Sequence, residues 1–269
     1  MADSMFRQEI KFALYAIKKN IHNSAELRTS FLMNIVGMTI NNAAFIFLWI
    51  FFVESVGVIN GWRASDILAL QGFTALGYGI IFSFGAGIRK LADNVASGVF
   101  DRFMLSPKNL LLRVATSSFG VSAIGDIVFS ITCLIIYAVL IKASCLQIVA
   151  ILFLSLVSAV IFFSLSLLIN STCFYFTDSS TVSTGLFELF LTPALFHGGA
   201  FQGVLRFIFT FIIPSLLIGT FPVEIVRDLH FMQFLIILLL SIFWLVVSLK
   251  FFNYSVRKYE SSNFMTFGS

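Results

Sequence analysis

Continuous apolar runs, separated by short polar stretches, fill almost the whole chain. Seven stand out, at residues 31–53, 67–88, 114–141, 148–169, 181–196, 205–221 and 231–249. Unbroken runs near the twenty residues needed to cross a bilayer predict helices, because barrel strands would alternate apolar and polar residues in segments of about ten. The sixth run is unlike the others: it is short, carries Arg206, is broken by Pro214 and is closed by Pro222. Ahead of the first run, Phe6, Ile10, Ala13, Leu14, Ile17 and Ile21 recur at helical spacing among Lys11, Lys18 and Lys19. This periodicity predicts an amphipathic helix over residues 1–29, lying at the membrane surface with its lysines near anionic headgroups. The same residues lack the apolar block of a cleavable signal peptide.

Composition agrees with the pattern. Of 269 residues, 59% are apolar and only 11% charged, where a soluble globular domain carries about 25% charged residues. The class is an all-α integral membrane protein, and nothing favours nucleic-acid binding. Charge then arbitrates the topology. If six runs cross and the sixth does not, thirteen of the seventeen Lys and Arg lie on one side, against Arg63, Lys142, Arg206 and Arg227 on the other. The positive-inside rule makes the first side cytoplasmic and puts both termini there. Counting seven crossings would move the basic residues Lys250, Arg257 and Lys258 outside. The reading is a single domain over 1–269: the surface helix, a six-span bundle over 30–253 and a cytoplasmic tail over 254–269. Residues 197–230 dip into the outer leaflet without crossing, so their irregular backbone needs shelter by protein or a water-filled cavity. No internal repeat is evident.

One polar interruption is long and patterned. After the second span, "NVASGVFDRFMLSPKNLL" at 94–111 crowds charges between two apolar runs. Ile88, Leu91, Val95, Val99 and Phe103 recur at steps of three and four, which predicts one helix over 89–105 with a single apolar face. Pro107 ends it, and Ser106 is pushed toward extended backbone by the proline. Val99 and Phe103 would anchor inward while Asp101 and Arg102 reach outward. Pattern alone leaves two readings, a docking surface for a soluble partner or a plain connector.

The run "VASGVFDRFMLSPKNLLLRVATSSFGVSAIGD" resembles the segment after the second span in permease subunits of ABC exporters of the type-2 branch. There an "sGxxDxxLxxP" pattern forms the coupling helix that docks in a groove of the ATP-hydrolysing subunit. Ser97, Gly98, Asp101, Met104 (where Leu is usual) and Pro107 match it, while Ser106 stands where a basic residue often precedes the proline. "TPALFHGGAFQGVLRFIFTFIIPSLLIGTFP" is similar to that family's re-entrant segment before the sixth span, with Pro193, Pro214 and Pro222 at familiar places. The resemblance covers essentially the whole chain. It implies coupling to an ATPase through Val95, Ser97, Gly98, Val99, Asp101, Arg102, Phe103 and Pro107. It also implies a second permease chain, identical or related, two ATPase subunits that bind ATP and Mg, and a bacterial inner-membrane location. The chain itself has no G-x-x-x-x-G-K-[ST] phosphate cradle, so hydrolysis must be supplied by a separate protein. No catalytic or metal-binding residues are expected. Export of a hydrophobic or amphipathic cargo (drug, lipid or peptide) is the implied activity; an ATP-independent channel or secondary carrier is the alternative.

Other candidates are weaker. Ala75, Gly79, Ser83 and Gly87 form a small-residue stripe that suits close helix packing, within the chain or between chains. By resemblance, the second and fifth spans border the permease interface and export path, which singles out Gly79, Ser83, Phe187, Glu188 and Phe190. Asp126 and Glu188 are the ionisable residues within spans, and each should face protein or water. Each has two readings, contact with a transport path or pairing with a neighbour near the inner membrane surface; pairing, with a neighbour such as Arg113, is favoured for Asp126, and Glu188 is the better candidate of the two for lining a pathway. Asn34, Asn41 and Asn42 read as interhelical hydrogen-bonding residues. "HGG" at 197–199 has no nucleophile elbow to accompany it and reads as a turn. Cys133, Cys145 and Cys173 lack paired spacing.

Overall fold

The computed structural model describes residues 2–56, 61–176 and 179–259, and no β-strand occurs among them. The amphipathic pattern becomes α1 (Ala2–Ala25), with Lys11, Lys18 and Lys19 exposed and Ala13, Ile17 and Ile21 half-buried. Five helices are long and apolar enough to cross a membrane. They are α2 (Arg28–Val56), α3 (Ala64–Phe84), α7 (Val121–Leu140), α8 (Cys145–Asn170) and α12 (Phe231–Val256). The fifth predicted span is α9 (Ser179–Ala194), only 16 residues with Pro193 inside it. Five of the six expected spans therefore reach the length of a crossing, and α9 keeps the 16-residue length of its apolar run.

Because lipid is as apolar as leucine, these helices associate by close packing rather than by leaving water. Central α3 is the most buried of the five. Its glycines make room for two neighbours: a Cβ at Gly79 would meet Ile127 Cγ1 of α7 at 2.7 Å, and one at Gly77 would meet Phe162 Cδ2 of α8 at 2.7 Å. The core around α3 buries Phe73, Tyr137, Leu154, Phe162 and Phe190 completely. α2 lies along α7 and α3 and is the least buried of the five.

Two non-spanning segments sit at opposite ends of α8. Gln147, in its first turn, donates to Val226 O at 2.9 Å, while Leu167, near its last turn, packs with Leu91 and Phe100. Twenty residues at 1.5 Å rise separate these ends by about 30 Å. At the first end lies a hairpin: α10 (Gly203–Phe207), a π-helical turn (Ile208–Ile212), an irregular stretch and α11 (Thr220–Asp228). Residues 214–226 are all buried, and Leu216, Leu217, Ile218, Val223 and Val226 are fully enclosed.

At the other end, the single helix expected over 89–105 is broken into α4 (Leu91–Ala96) and α5 (Asp101–Met104), followed by α6 (Leu110–Ala115). Gly98 takes φ 71°, a left-handed conformation that is costly for any residue with a Cβ, and Phe100 N donates back to Asn94 O at 2.9 Å. The turn shifts the inward face by one residue. Phe100, not Val99, is fully buried.

Candidate functional site

The 89–113 segment is a rigid base carrying an exposed tip. Leu91, Ala92, Phe100 and Val114 form a second apolar cluster with Leu167, Cys173 and Phe252 at the ends of α8 and α12. Val95 and Phe103 are half-buried against it, Val99 is half-buried beside the turn, and Ser97 is exposed with its hydroxyl bonded to Asp93 O at 2.7 Å. Arg113 donates to the carbonyls of Phe103 and Arg102, and its guanidinium lies 5.7 Å above the Phe103 ring. The two arms of the segment are thereby tied together. Exposed at the tip are Arg102, Pro107, Met104 at 49% and Leu105 at 86%.

Asp101 departs from the outward-reaching role expected of it. It is half-buried beside Tyr259, whose hydroxyl burial first, and the neighbouring Asp101 carboxylate second, push up to a pKa of about 12. Tyr259 also packs edge-on against Phe100 at 4.9 Å. Nothing in the sequence pattern linked this tail residue to a loop more than 150 positions earlier. Around the base, Gly87 meets α6 so closely that a Cβ would fall 1.8 Å from Val114 O, and Gly120 N donates to Ser83 O. The segment is continuous with α3 and α7 at both ends.

The interior residues divide. Gly79 and the fully buried Ser83 face α7 of the same chain. Phe187 and Phe190 are buried in an aromatic stack, 5.6 Å from Phe82 and 5.5 Å from Phe162 respectively. Glu188 is exposed, on the rim of a cavity of about 390 Å³ that also contains Arg89 and Thr184. Arg89 lies 5.0 Å over Phe82 and 5.4 Å over Phe187, a cation–π arrangement, and donates to the Tyr78 hydroxyl at 2.6 Å.

A second cavity, of about 490 Å³, opens between α2, α3, α7 and α9. Asp126 is in its wall at 3% exposure. The expected pairing with Arg113 does not form, because that guanidinium is held by the two carbonyls of α5. Instead Asn42 donates to Asp126 Oδ1 at 2.6 Å, and Oδ2 has no hydrogen-bond partner among the described residues. Asn42 thus bridges helices as expected, whereas Asn34 bonds Ser30 O within its own helix. Gln71 and Thr74, also in the wall, donate to the carbonyls of Leu195 and Ala194. They cap the orphan carbonyls where Pro193 ends α9.

"HGG" is a turn: Gly198 begins a 3₁₀ turn (Gly198–Ala200), and a Cβ there would meet Thr220 Cγ2 at 2.2 Å. No group of three or more metal-ligating side chains occurs among the described residues, and the three cysteines are free. A family model described as "ABC-2 family transporter protein" matches residues 39–263. No curated protein and no solved structure matches the chain.

Proposed function

The chain belongs to the ABC-2 family of transporter proteins and is a multi-pass permease, and from that premise we propose that it is the transmembrane subunit of an ATP-driven exporter. The 89–113 segment is the cytoplasmic surface that docks on a separate ATPase subunit, which binds ATP and Mg. The observation that carries this reading is the tip: an exposed Arg102 with Met104, Leu105 and Pro107, mounted on buried Leu91 and Phe100. An exposed apolar knob with one cation on a fixed base suits a groove in a soluble partner.

Topology follows the charge asymmetry. Both termini are cytoplasmic in a bacterial inner membrane, with α1 on the inner surface. α9 is the short fifth of six crossings: it leaves α4 at the cytoplasmic end and reaches α3 where Gln71 and Thr74 cap it. At 16 residues it extends about 24 Å, less than the 30 Å hydrocarbon core, and the chain from 195 to 202 covers the remainder. The hairpin at 203–228 dips in from the outer side and returns, with α11 packed on α3, α8 and α12 and the irregular stretch held by Ser158, which donates to Ile218 O, and by Leu70 and Thr74 beside Gly219.

Mechanism is linkage between docking and the path. The ATPase contacts the tip differently in its open and closed states, and only that difference can drive the permease. Because Gly87 is locked on α6, Gly120 on Ser83 and Arg113 on α5, movement of the tip is delivered to α3 and α7 as one body. A second permease chain, identical or related, completes a path for a hydrophobic or amphipathic cargo.

The test is purification of the native complex in mild detergent. Arg102→Glu combined with Leu105→Asp is expected to lose a stoichiometric ATPase chain while membrane insertion persists. Asp101 is the poorer probe, since its reversal also disturbs Tyr259. Unchanged ATPase recovery would remove the docking assignment. An oligomer of this chain alone that transports without ATP would replace the exporter by a channel or carrier.

A further inference from the structure

We propose that the 490 Å³ cavity between α2, α3, α7 and α9 is a binding site for an amphipathic organic cation, with Asp126 as its acceptor. The inference names a substrate class for the permease and rests on that reading. Its volume lies within the range of small-molecule pockets, about 300–1,000 Å³. Most of the wall is apolar, from Met38, Phe45, Leu48, Phe129, Leu191 and Leu195. The polar groups in it are mostly committed elsewhere: Gln71 and Thr74 to the end of α9, and the Tyr78 hydroxyl to Arg89. Asn41 also lines the wall, on its exposed side, whereas Asp126 Oδ2 is buried and without a partner.

A carboxyl group in a lipid-embedded bundle is costly unless something compensates it. Asn42 supplies one neutral hydrogen bond, and no cationic side chain is paired with Asp126 among the described residues. Arg113 is bonded to carbonyls and Arg89 to Tyr78. The unfilled requirement is a donor carrying positive charge, and the apolar wall requires that it sit on a hydrophobic body. A protonated amine or a cationic aromatic ring system meets both conditions. Leu48 and Phe45 at the mouth are exposed, so the cavity opens sideways between α2 and α9 and admits a ligand from within the bilayer.

Equilibrium binding of ethidium, a flat cation with amine donors, to the full chain in lipid nanodiscs tests the site, with empty discs as the blank and uncharged N-phenyl-1-naphthylamine as the comparison probe. Saturable ethidium binding is expected to weaken about tenfold or more in Asp126→Asn, as loss of a charge-assisted hydrogen bond implies. Binding of the uncharged probe should be unchanged. Leu191→Trp, which fills the cavity from the opposite wall, should reduce binding of both probes and covers the case in which the first variant does not fold. No saturable ethidium binding, or equal binding by wild type and Leu191→Trp, overturns the site. The assay uses no ATPase, so a chain that recruits its ATPase but ignores ethidium loses this inference alone, and one that binds ethidium without recruiting an ATPase loses the exporter reading alone.

Discussion

The buried carboxylates of the 203–228 hairpin region and of the α2–α7 cavity are compensated in opposite ways. Glu224, at 7% exposure, receives Arg206 at 2.7 Å and 3.0 Å, and Asp66, at 4%, accepts from Arg63 N at 3.0 Å with Arg227 at 3.5 Å. Asp126, at 3%, has a single amide donor and one oxygen left over. A buried ion pair is expensive to break because the survivor is left charged and alone. The hairpin region therefore uses its charges to fix a fold. The cavity wall instead holds a carboxyl group with one oxygen that the fold leaves unpaired.

Breaking the hairpin's pair should give the largest effect. Arg206→Ala leaves Glu224 buried without its partner and should cost about 3 kcal/mol, the low end for a buried pair because Arg206 keeps some solvent contact. Chemical unfolding in detergent measures it, and adding Glu224→Leu should recover most of the loss. If the double variant is no better than the single, the pair is not what holds the hairpin. Next comes space rather than charge. In Gly219→Ala the new Cβ would lie 2.6 Å from Leu70 Cδ1 and 2.7 Å from Thr74 Oγ1, so overpacking of about 1–3 kcal/mol is expected. A silent Gly219→Ala would mean the hairpin is looser against α3 than its buried residues imply.

The cavity should respond with the opposite sign. Asp126→Asn retains an acceptor for Asn42 and removes an uncompensated carboxyl, so the variant should be as stable as wild type or gain up to about 1 kcal/mol. A loss of stability comparable to that of Arg206→Ala would erase the distinction between the two regions.

Legibility in the sequence was uneven for reasons that particular residues show. The long runs were readable because a span of twenty apolar residues has few other fates, and the amphipathic α1 because its period is local. α9 matched its run in length but lies two residues earlier, since the helix stops one residue after Pro193 while apolar residues continue to Phe196. The 89–105 helix was misjudged at Gly98: a glycine interrupts a periodic pattern without altering it, and a one-residue turn moved the inward position from Val99 to Phe100. Tyr259 carried no signal, because its role depends on where α12 ends relative to Phe100 and Asp101.

Asp126 teaches the same lesson more sharply. Sequence identified it as an ionisable residue inside a span and proposed Arg113, thirteen positions away, as its partner. Packing gave Arg113 to the carbonyls of Arg102 and Phe103 and gave Asp126 to Asn42, 84 positions distant. The sequence by itself determined which segments are apolar and long enough to cross a bilayer, since that follows from hydropathy and length. Which buried carboxylates find charged partners, and which one lines a cavity with an oxygen unpaired, was decided only by the tertiary structure. Partnering depends on distances of a few ångströms between helices that no local pattern specifies.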